Sequence, residues 1–206
     1  MDTPQAPLPA PELQNIKILL ASNSPRRREL LGLILPQFDI APSRLAKEEY
    51  PATLPAESVP AFLSQQKAEA HAPFLHPDEI IITADTVVIL DGKILGKPHS
   101  HADAVAMLSA LSGSTHTVVT GVTLTSLQGK RRDTFSVSTL VHFAAMSHES
   151  IEEYVERFKP FDKAGAYGIQ EWIGAAFIEG IDGCYYNVMG LPLHALYNHL
   201  STFMKA

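Results

Sequence analysis

The stretch IKILLASNSPRRR, residues 16–28, places a short apolar segment directly before a helix start. Ile16–Ala21 predicts a buried strand, because the segment is apolar apart from one lysine. Ser24 is a preferred N-cap residue and Pro25 suits the first helical position, so we expect a helix that runs to about Leu35. Three arginines then occupy the first turn, where each opposes the helix dipole by about 0.3–1 kcal/mol when exposed.

The arginine-rich turn has two interpretations that its spacing does not separate. An anion held at the helix start would relieve the conflict, since backbone N–H groups, serine hydroxyls and guanidinium groups would converge on it. Alternatively, the turn is solvated and its arginines fold back to acidic neighbours such as Glu29. The net charge of −6 argues against a nucleic-acid partner, but a local basic cluster can still bind a small polyanion.

A single carboxylate, Asp85, interrupts the apolar segment Ile80–Ile89. An unpaired buried carboxylate is costly, so an aspartate in such a segment is expected at a cleft, a metal site or a catalytic site. A structural aspartate that caps nearby backbone is the alternative. The strongly apolar surroundings favour the functional interpretation.

Helical and strand-like segments alternate along the rest of the chain. Asp91-Gly92 predicts a hairpin turn, and the β-rich runs Thr115–Leu127 and Arg131–Phe143 predict a further hairpin. Ala175–Ile181 and Tyr185–Val188 are predicted to be short strands. Helices interleaved with strands and hairpins indicate an α/β protein with a mixed sheet.

A chain of 206 residues without an internal linker is expected to form a single folding unit over residues 16–206. Two lobes around a cleft are compatible with this expectation. The preceding residues 1–15 contain four prolines and predict a flexible or polyproline-like tail.

The single cysteine, Cys184, excludes an intramolecular disulfide and a zinc site built on several thiolates. It fits a reducing compartment. The N-terminus has neither the basic region nor the apolar core of a secretory signal, and no apolar run approaches the ~18 residues that span a bilayer. We therefore expect a cytoplasmic protein with no membrane partner. The oligomeric state is left open, and a homodimer is compatible with the sequence.

Four weaker features gain meaning only in combination. Lys97 lies between a glycine and a proline, and Lys67 lies on a predicted helix; each alone is an ordinary surface lysine. Glu48 and Glu49 can ligate a hard metal such as Mg²⁺ or simply decorate a loop. The loop 162–170 has two glycines that permit close approach of a ligand, and it ends in a glutamine that can contact a base edge.

In this order the segments resemble the Maf family of nucleoside triphosphate pyrophosphatases. The resemblance extends over nearly the whole chain from Ile16 to Phe203, and the combination is far more specific than any one motif. The motifs that match are SNSPRRRELL at 22–31, ADTVV at 84–88, GKP at 96–98, TGV at 120–122 and KAGAYGIQ at 163–170.

The resemblance implies hydrolysis of a nucleoside triphosphate to the monophosphate and pyrophosphate, with a divalent cation, Mg²⁺ or Mn²⁺. It also implies an elongated mixed sheet between two lobes, as in inosine triphosphate pyrophosphatases, with the substrate in the cleft. By analogy, Asp85 is the proton acceptor that activates water, and it can also ligate the metal together with Glu48 or Glu49. The positions tied to substrate choice are Arg27, Thr86 and Gln170. The positions that contact phosphate are Ser24, Arg26, Lys67 and Lys97.

One branch of the family resembles dTTP/UTP pyrophosphatases, and another acts on 7-methylguanosine triphosphate. The intact AYGIQ segment ending at Gln170 resembles the first branch, whereas Glu171 stands where a glycine is expected. The charge neutralisation that this reaction needs agrees with the resemblance, because four cationic side chains would face a substrate of about four negative charges. A nucleotide-binding regulator that does not hydrolyse its ligand, or a triphosphatase that releases orthophosphate, remains an alternative.

Overall fold

A mixed β-sheet forms the centre of the protein. The structure is a computed structural model that describes residues 16–44, 47–126 and 129–205; the predicted proline-rich tail, residues 1–15, lies outside the described residues. Within these residues the strands are β1 (Lys17–Ala21), β2 (Asp39–Ile40), β3 (Glu79–Leu90), β4 (Lys93–Leu95), β5 (Thr115–Ser126), β6 (Arg131–Phe143) and β7 (Ile178–Asp182). They form a seven-stranded sheet in the order β2-β1-β3-β5-β6-β7, with β4 paired to β3.

Helices cover both faces of this sheet. They are α1 (Pro25–Gly32), α2 (Val59–His71), α3 (His101–Leu111), α4 (His148–Phe158), α5 (Trp172–Phe177), α6 (Tyr185–Met189) and α7 (Leu193–Lys205). Strand β1 runs parallel to β2 and β3, whereas the remaining pairs are antiparallel. The predicted α/β fold with a mixed sheet is therefore confirmed. In the described part of the chain, no helix is long and apolar enough to cross a membrane.

One edge of β3 is left open in the middle of the strand. On that edge β1 pairs with Glu79–Thr83, and β4 pairs with Val88–Leu90. The four residues between them, 84–87, have no strand partner on this side, although β5 covers the opposite edge from Ile80 to Ile89. At this open edge, side chains from both faces of β3 can therefore reach the same space.

Alternation along β3 divides the core of the protein. The side chains of Ile80 and Ile82 pack with α1 and α7, and Val88 on the same face packs with α3 and α4. Thr86 lies between these two clusters and is half-buried. On the opposite face, Val87 and Ile89 pack against α2. The helices on one face thus form two groups, with the open edge of β3 between them.

The segment Tyr185–Val188 was predicted to be a strand, and this prediction is wrong. It forms helix α6, which ends at Gly190 with a φ of 115°. Aromatic and β-branched residues favour a strand locally, but the buried side chain of Asn187 donates hydrogen bonds to the Val118 carbonyl and to Thr139 Oγ1, each at 3.0 Å. Contacts with β5 and β6 therefore decide the local structure. The strand predicted over Ala175–Ile181 is also shifted, because its first residues complete α5 and β7 begins at Ile178.

Gly121 lets helix α2 pack directly on the sheet. It lies opposite Asp85 in the pairing of β3 with β5. A Cβ atom added at Gly121 would lie 2.2 Å from the backbone nitrogen of Ala61 in α2. Only a glycine permits this approach, which in turn sets the position of the side chains that α2 directs toward β3.

Gly121→Ala is expected to lower the free energy of unfolding by about 1–3 kcal/mol, the range for overpacking a close contact. Chemical denaturation measures this loss. Gly32→Ala is the matched control, because an added Cβ there has no atom within 4 Å. Equal stability of the two variants would contradict the close packing of α2 on β5.

Candidate active site

A cavity of about 750 Å³ opens at the free edge of β3. It is bounded by the end of β1, the start of α1, the segment after β4 and the loop 162–170. Nearly all of the sequence-predicted site residues line it, and they come from segments far apart in the chain. These are Ser24, Arg26, Arg27, Glu48, Lys67, Asp85, Thr86, Lys97 and Gln170.

Asp85 and Lys67 form a close ion pair at the floor of this cavity. The Lys67 Nζ lies 2.6 Å from Asp85 Oδ1 and 2.9 Å from Glu48 Oε1. Both Lys67 and Asp85 have side chains that are only 12% exposed, whereas Glu48 is exposed. The carboxylate in the apolar strand is therefore paired, and its pair faces the cavity.

Helix α2 is fixed in register with β3 by buried hydroxyl groups. Thr83 Oγ1 donates to the Ser64 carbonyl at 2.7 Å, and the hydroxyls of Ser64 and Thr123 lie 2.8 Å apart. These bonds, with the close approach at Gly121, bring Lys67 one turn further along α2 to Asp85. The sequence contains the two residues, but this packing makes them partners.

Burial raises the pKa of Asp85, because desolvation penalises its charged form. The positive charges of Lys67 and Arg27 act in the opposite direction and favour the carboxylate. A carboxylate with a raised pKa is a stronger base than an exposed aspartate. Asp85 thus has the chemistry of a general base as well as that of a metal ligand.

Arg27 is half-buried in the cavity wall and donates to three protein acceptors. Its Nε donates to the Gly190 carbonyl at 2.8 Å, its Nη1 to the Ala84 carbonyl at 2.8 Å, and its Nη2 to Thr86 Oγ1 at 2.9 Å. Burial lowers the pKa of Arg27, while nearby Asp85 favours its charged form. An arginine titrates far above neutral pH, so a positive charge is held under the cavity.

The hydroxyl of Thr86 continues the hydrogen-bond chain from Arg27 into the sheet. It lies 2.9 Å from Thr120 Oγ1, which donates to the Asn187 carbonyl at 3.1 Å. Because Thr120 uses its proton there, Thr86 must donate to Thr120 and accept from Arg27. Sequence reasoning missed Asn187, whose only local signal was an amide within an aromatic segment.

Arg26 crosses the cavity to the loop 162–170. Its Nη1 lies 2.7 Å from Asp162 Oδ2, and the Lys163 Nζ lies 2.8 Å from Asp162 Oδ1. Partial burial opposes ionisation of Asp162, but hydrogen bonds from Lys163 and Arg26 lower its pKa to about 2. Lys163 and Asp162 were seen in the sequence only as part of a loop, and the structure places both at the cavity.

Ser24, Lys97 and Gln170 complete the cavity wall. Ser24 is the N-cap of α1, where its side chain accepts from the Arg27 backbone N–H. Lys97 and Gln170 are exposed, and within the described residues Lys97 has no ion pair. The Gly165 backbone N–H donates to the Gly96 carbonyl at 3.0 Å and joins their two loops.

Among the candidate metal ligands, the structure brings Asp85 and Glu48 together but not Glu49. Glu49 pairs with Lys47 and does not line the cavity. Asp85 and Glu48 each direct an oxygen to the same ammonium nitrogen, so a cation at that position has two hard oxygen donors. Two carboxylates completed by substrate phosphates suit Mg²⁺ or Mn²⁺. The described residues contain no cluster of three or more histidine, cysteine or acidic ligands.

Cations around a helix start lie next to a buried carboxylate at the open edge of a mixed sheet, and their charge suits a polyanion. The family model described as Maf-like protein matches residues 17–203. The chain belongs to this Maf-like family.

Curated relatives are similar to this chain over almost their whole length. The dTTP/UTP pyrophosphatase of Phocaeicola vulgatus is 51% identical over 188 residues, which cover 91% of this chain and 96% of that protein. The dTTP/UTP pyrophosphatase of Carboxydothermus hydrogenoformans is 48% identical over 185 residues, or 90% of this chain and 97% of that protein.

A solved structure, the nucleoside-triphosphatase / dITP/XTP pyrophosphatase from Mycobacterium abscessus, has a TM-score of 0.40 at 16% identity. It covers 64% of this chain and 76% of that chain.

Arg27→Met is expected to lower the free energy of unfolding by about 1–3 kcal/mol, because it removes the donors to the Gly190 carbonyl and to Thr86 Oγ1 and leaves the Ala84 carbonyl with only the longer contact from Lys67. Arg28→Met is the control, since Arg28 lies in the same helical turn but is exposed and outside the cavity. Chemical denaturation of both variants measures their stability and tests whether these hydrogen bonds of Arg27 stabilise the fold. A loss at Arg28 as large as that at Arg27 would contradict it.

Proposed function

We propose that this protein hydrolyses dTTP and UTP to the nucleoside monophosphate and pyrophosphate. The observation that carries the proposal is that Asp85, the lone acid of an apolar strand, faces the same cavity as the arginine-rich start of α1. The relatives named dTTP/UTP pyrophosphatases, at about half identity over nine tenths of the chain, support this substrate class.

In the proposed reaction, a water molecule attacks the α-phosphorus and the bond between the α- and β-phosphates breaks. Asp85 accepts the proton of that water. Before substrate and cation bind, Lys67 holds the Asp85 carboxylate in place through their 2.6 Å contact. Pyrophosphate leaves, and its negative charge is offset by cationic side chains. The start of α1, Ser24 and Arg26, together with Lys97 across the cavity, binds the phosphate groups.

Mg²⁺ or Mn²⁺ is the proposed cofactor, held by Asp85 and Glu48. When bound, such an ion neutralises phosphate charge and lowers the pKa of a coordinated water. The Lys67 ammonium between these two carboxylates occupies the position that suits a cation, so Lys67 would turn toward substrate phosphate when the ion binds.

Base selection is proposed to take place at Gln170 and Thr86. Gln170 is exposed at the cavity rim and carries both a donor and an acceptor. Thr86 has its proton committed to Thr120, so toward a ligand it is an acceptor. Arg27 acts on base selection through Thr86, because one of its N–H groups donates to the Thr86 hydroxyl and holds it in place. A cytoplasmic location is proposed as well, and the single cysteine fits it.

A panel of nucleoside triphosphates assayed for pyrophosphate with Mg²⁺ or Mn²⁺ tests the function directly. We expect release from dTTP and UTP, and its loss when the cation is chelated. Orthophosphate as the product would indicate a triphosphatase, and binding without hydrolysis would indicate a regulator. A preference for 7-methylguanosine triphosphate would place the protein in the other branch of the family.

Asp85→Asn is expected to lower kcat by about 10²–10⁴, the range for losing a general base. The substitution keeps the size of the side chain, so the fold should persist. Asp182→Asn is the control, because that aspartate is 75% exposed on the edge strand β7 and pairs with His142. Turnover of Asp85→Asn close to that of the unmodified enzyme would remove Asp85 from the reaction.

A further inference from the structure

Glu171 is a charged residue to which the proposed reaction gives no role. It follows Gln170 directly and is the N-cap residue of α5, yet its side chain makes no capping hydrogen bond to that helix. The side chain is only 20% exposed. Its carboxylate is thus withdrawn from solvent without serving the helix that it begins.

Both oxygens of the Glu171 carboxylate have partners. The Tyr154 hydroxyl donates to Oε2, and the Lys163 Nζ lies 3.1 Å from Oε1. Burial raises the pKa of Tyr154, and the hydrogen bond to Glu171 raises it further, so the phenol keeps its proton. The Tyr154 oxygen also accepts from the Gly168 backbone N–H at 3.2 Å. The carboxylate is therefore fixed relative to the backbone of the 168–170 segment.

Glu171 and Gln170 share the space beside Gly168. A Cβ atom added at Gly168 would lie 2.9 Å from Cδ of Glu171 and 3.2 Å from Nε2 of Gln170. A carboxylate attracts the N–H groups of an amide and repels its carbonyl oxygen. The charge of Glu171 therefore favours the orientation of the Gln170 amide in which Nε2 faces the carboxylate.

The orientation of that amide matters for base selection. At N3 and C4, uracil and thymine present a donor and an acceptor, whereas cytosine presents an acceptor and a donor. A glutamine that is free to rotate its amide by 180° satisfies either pattern, and an exposed glutamine such as Gln170 would have that freedom without a neighbouring charge. A glutamine with a fixed amide matches one pattern and leaves polar groups unpaired against the other.

We propose that Glu171 is a specificity-determining positioning residue, which holds the amide of Gln170 in one orientation and so lets the cavity distinguish uracil and thymine nucleotides from cytosine nucleotides. This inference rests on the proposed function, because it requires Gln170 to contact the base. Glu171 acts through Gln170, and Tyr154 acts through Glu171.

The test compares kcat/KM for UTP and CTP, measured by pyrophosphate release, in the full chain and its variants. Glu171→Gln keeps the shape but removes the charge, and we expect the UTP-to-CTP ratio to fall about tenfold, the effect of one misdirected hydrogen bond. Tyr154→Phe releases the Glu171 carboxylate, so the ratio should fall in the same direction. The double variant should show little further fall, since both substitutions act on one contact.

Two control variants carry the same chemical changes elsewhere. Glu153→Gln removes a surface carboxylate of α4 that pairs with Arg157. Tyr197→Phe removes the hydroxyl of a half-exposed tyrosine of α7. Neither residue lines the cavity, and the UTP-to-CTP ratio of both variants should equal that of the unmodified enzyme.

The outcomes separate this inference from the function on which it rests. If the unmodified enzyme releases pyrophosphate from no triphosphate, the proposed function fails and the inference fails with it. If the enzyme is active but uses UTP and CTP equally, only the inference is overturned. It is overturned too if Glu171→Gln lowers kcat/KM for both substrates in the same proportion, because Glu171 would then merely support the fold.

Discussion

The open edge of β3 is the constraint on which the site depends. Four residues of a central strand lack a strand partner there, and a buried backbone carbonyl without a donor is costly. Arg27 and Lys67 both donate to the Ala84 carbonyl, at 2.8 and 3.5 Å. The unpaired edge of β3 leaves the Ala84 carbonyl to these two cations. At the same place, Asp85 lies on one face of the strand and Thr86 on the other. The charged side chains of the cavity therefore meet where β3 lacks a strand partner on one edge.

Charge pairing explains how a protein of net charge −6 keeps several cations at one cavity. Two largely buried lysines at the cavity have acidic partners: Lys67 has Asp85, and Lys163 has Asp162 and Glu171. Pairing offsets the cost of burying charge, and it holds long side chains in one position before a ligand arrives. The exposed Lys97 needs no such partner, because water solvates it.

Local sequence rules predicted the parts of the fold that depend on neighbouring residues. Ser24 caps α1, and Asp91 and Gly92 have φ values of 50° and 73°, as the predicted hairpin turn requires. The same rules failed for 185–188, where strand propensity was overridden by the buried hydrogen bonds of Asn187. Propensity is a local preference of a fraction of a kcal/mol to about one, whereas leaving the buried N–H groups of Asn187 without acceptors would cost more.

The amino-acid sequence by itself determined the α/β class, the helix start that concentrates arginines, and the odd carboxylate at Asp85. These follow from periodicity, capping and the cost of burying charge, all of which act within one segment. Only the tertiary structure decided which charges meet. It separated Glu48 from Glu49, turned Arg27 inward and brought Glu171 to Tyr154 and Lys163. Such pairings depend on strand register and close helix packing, which bring together residues that no local pattern connects.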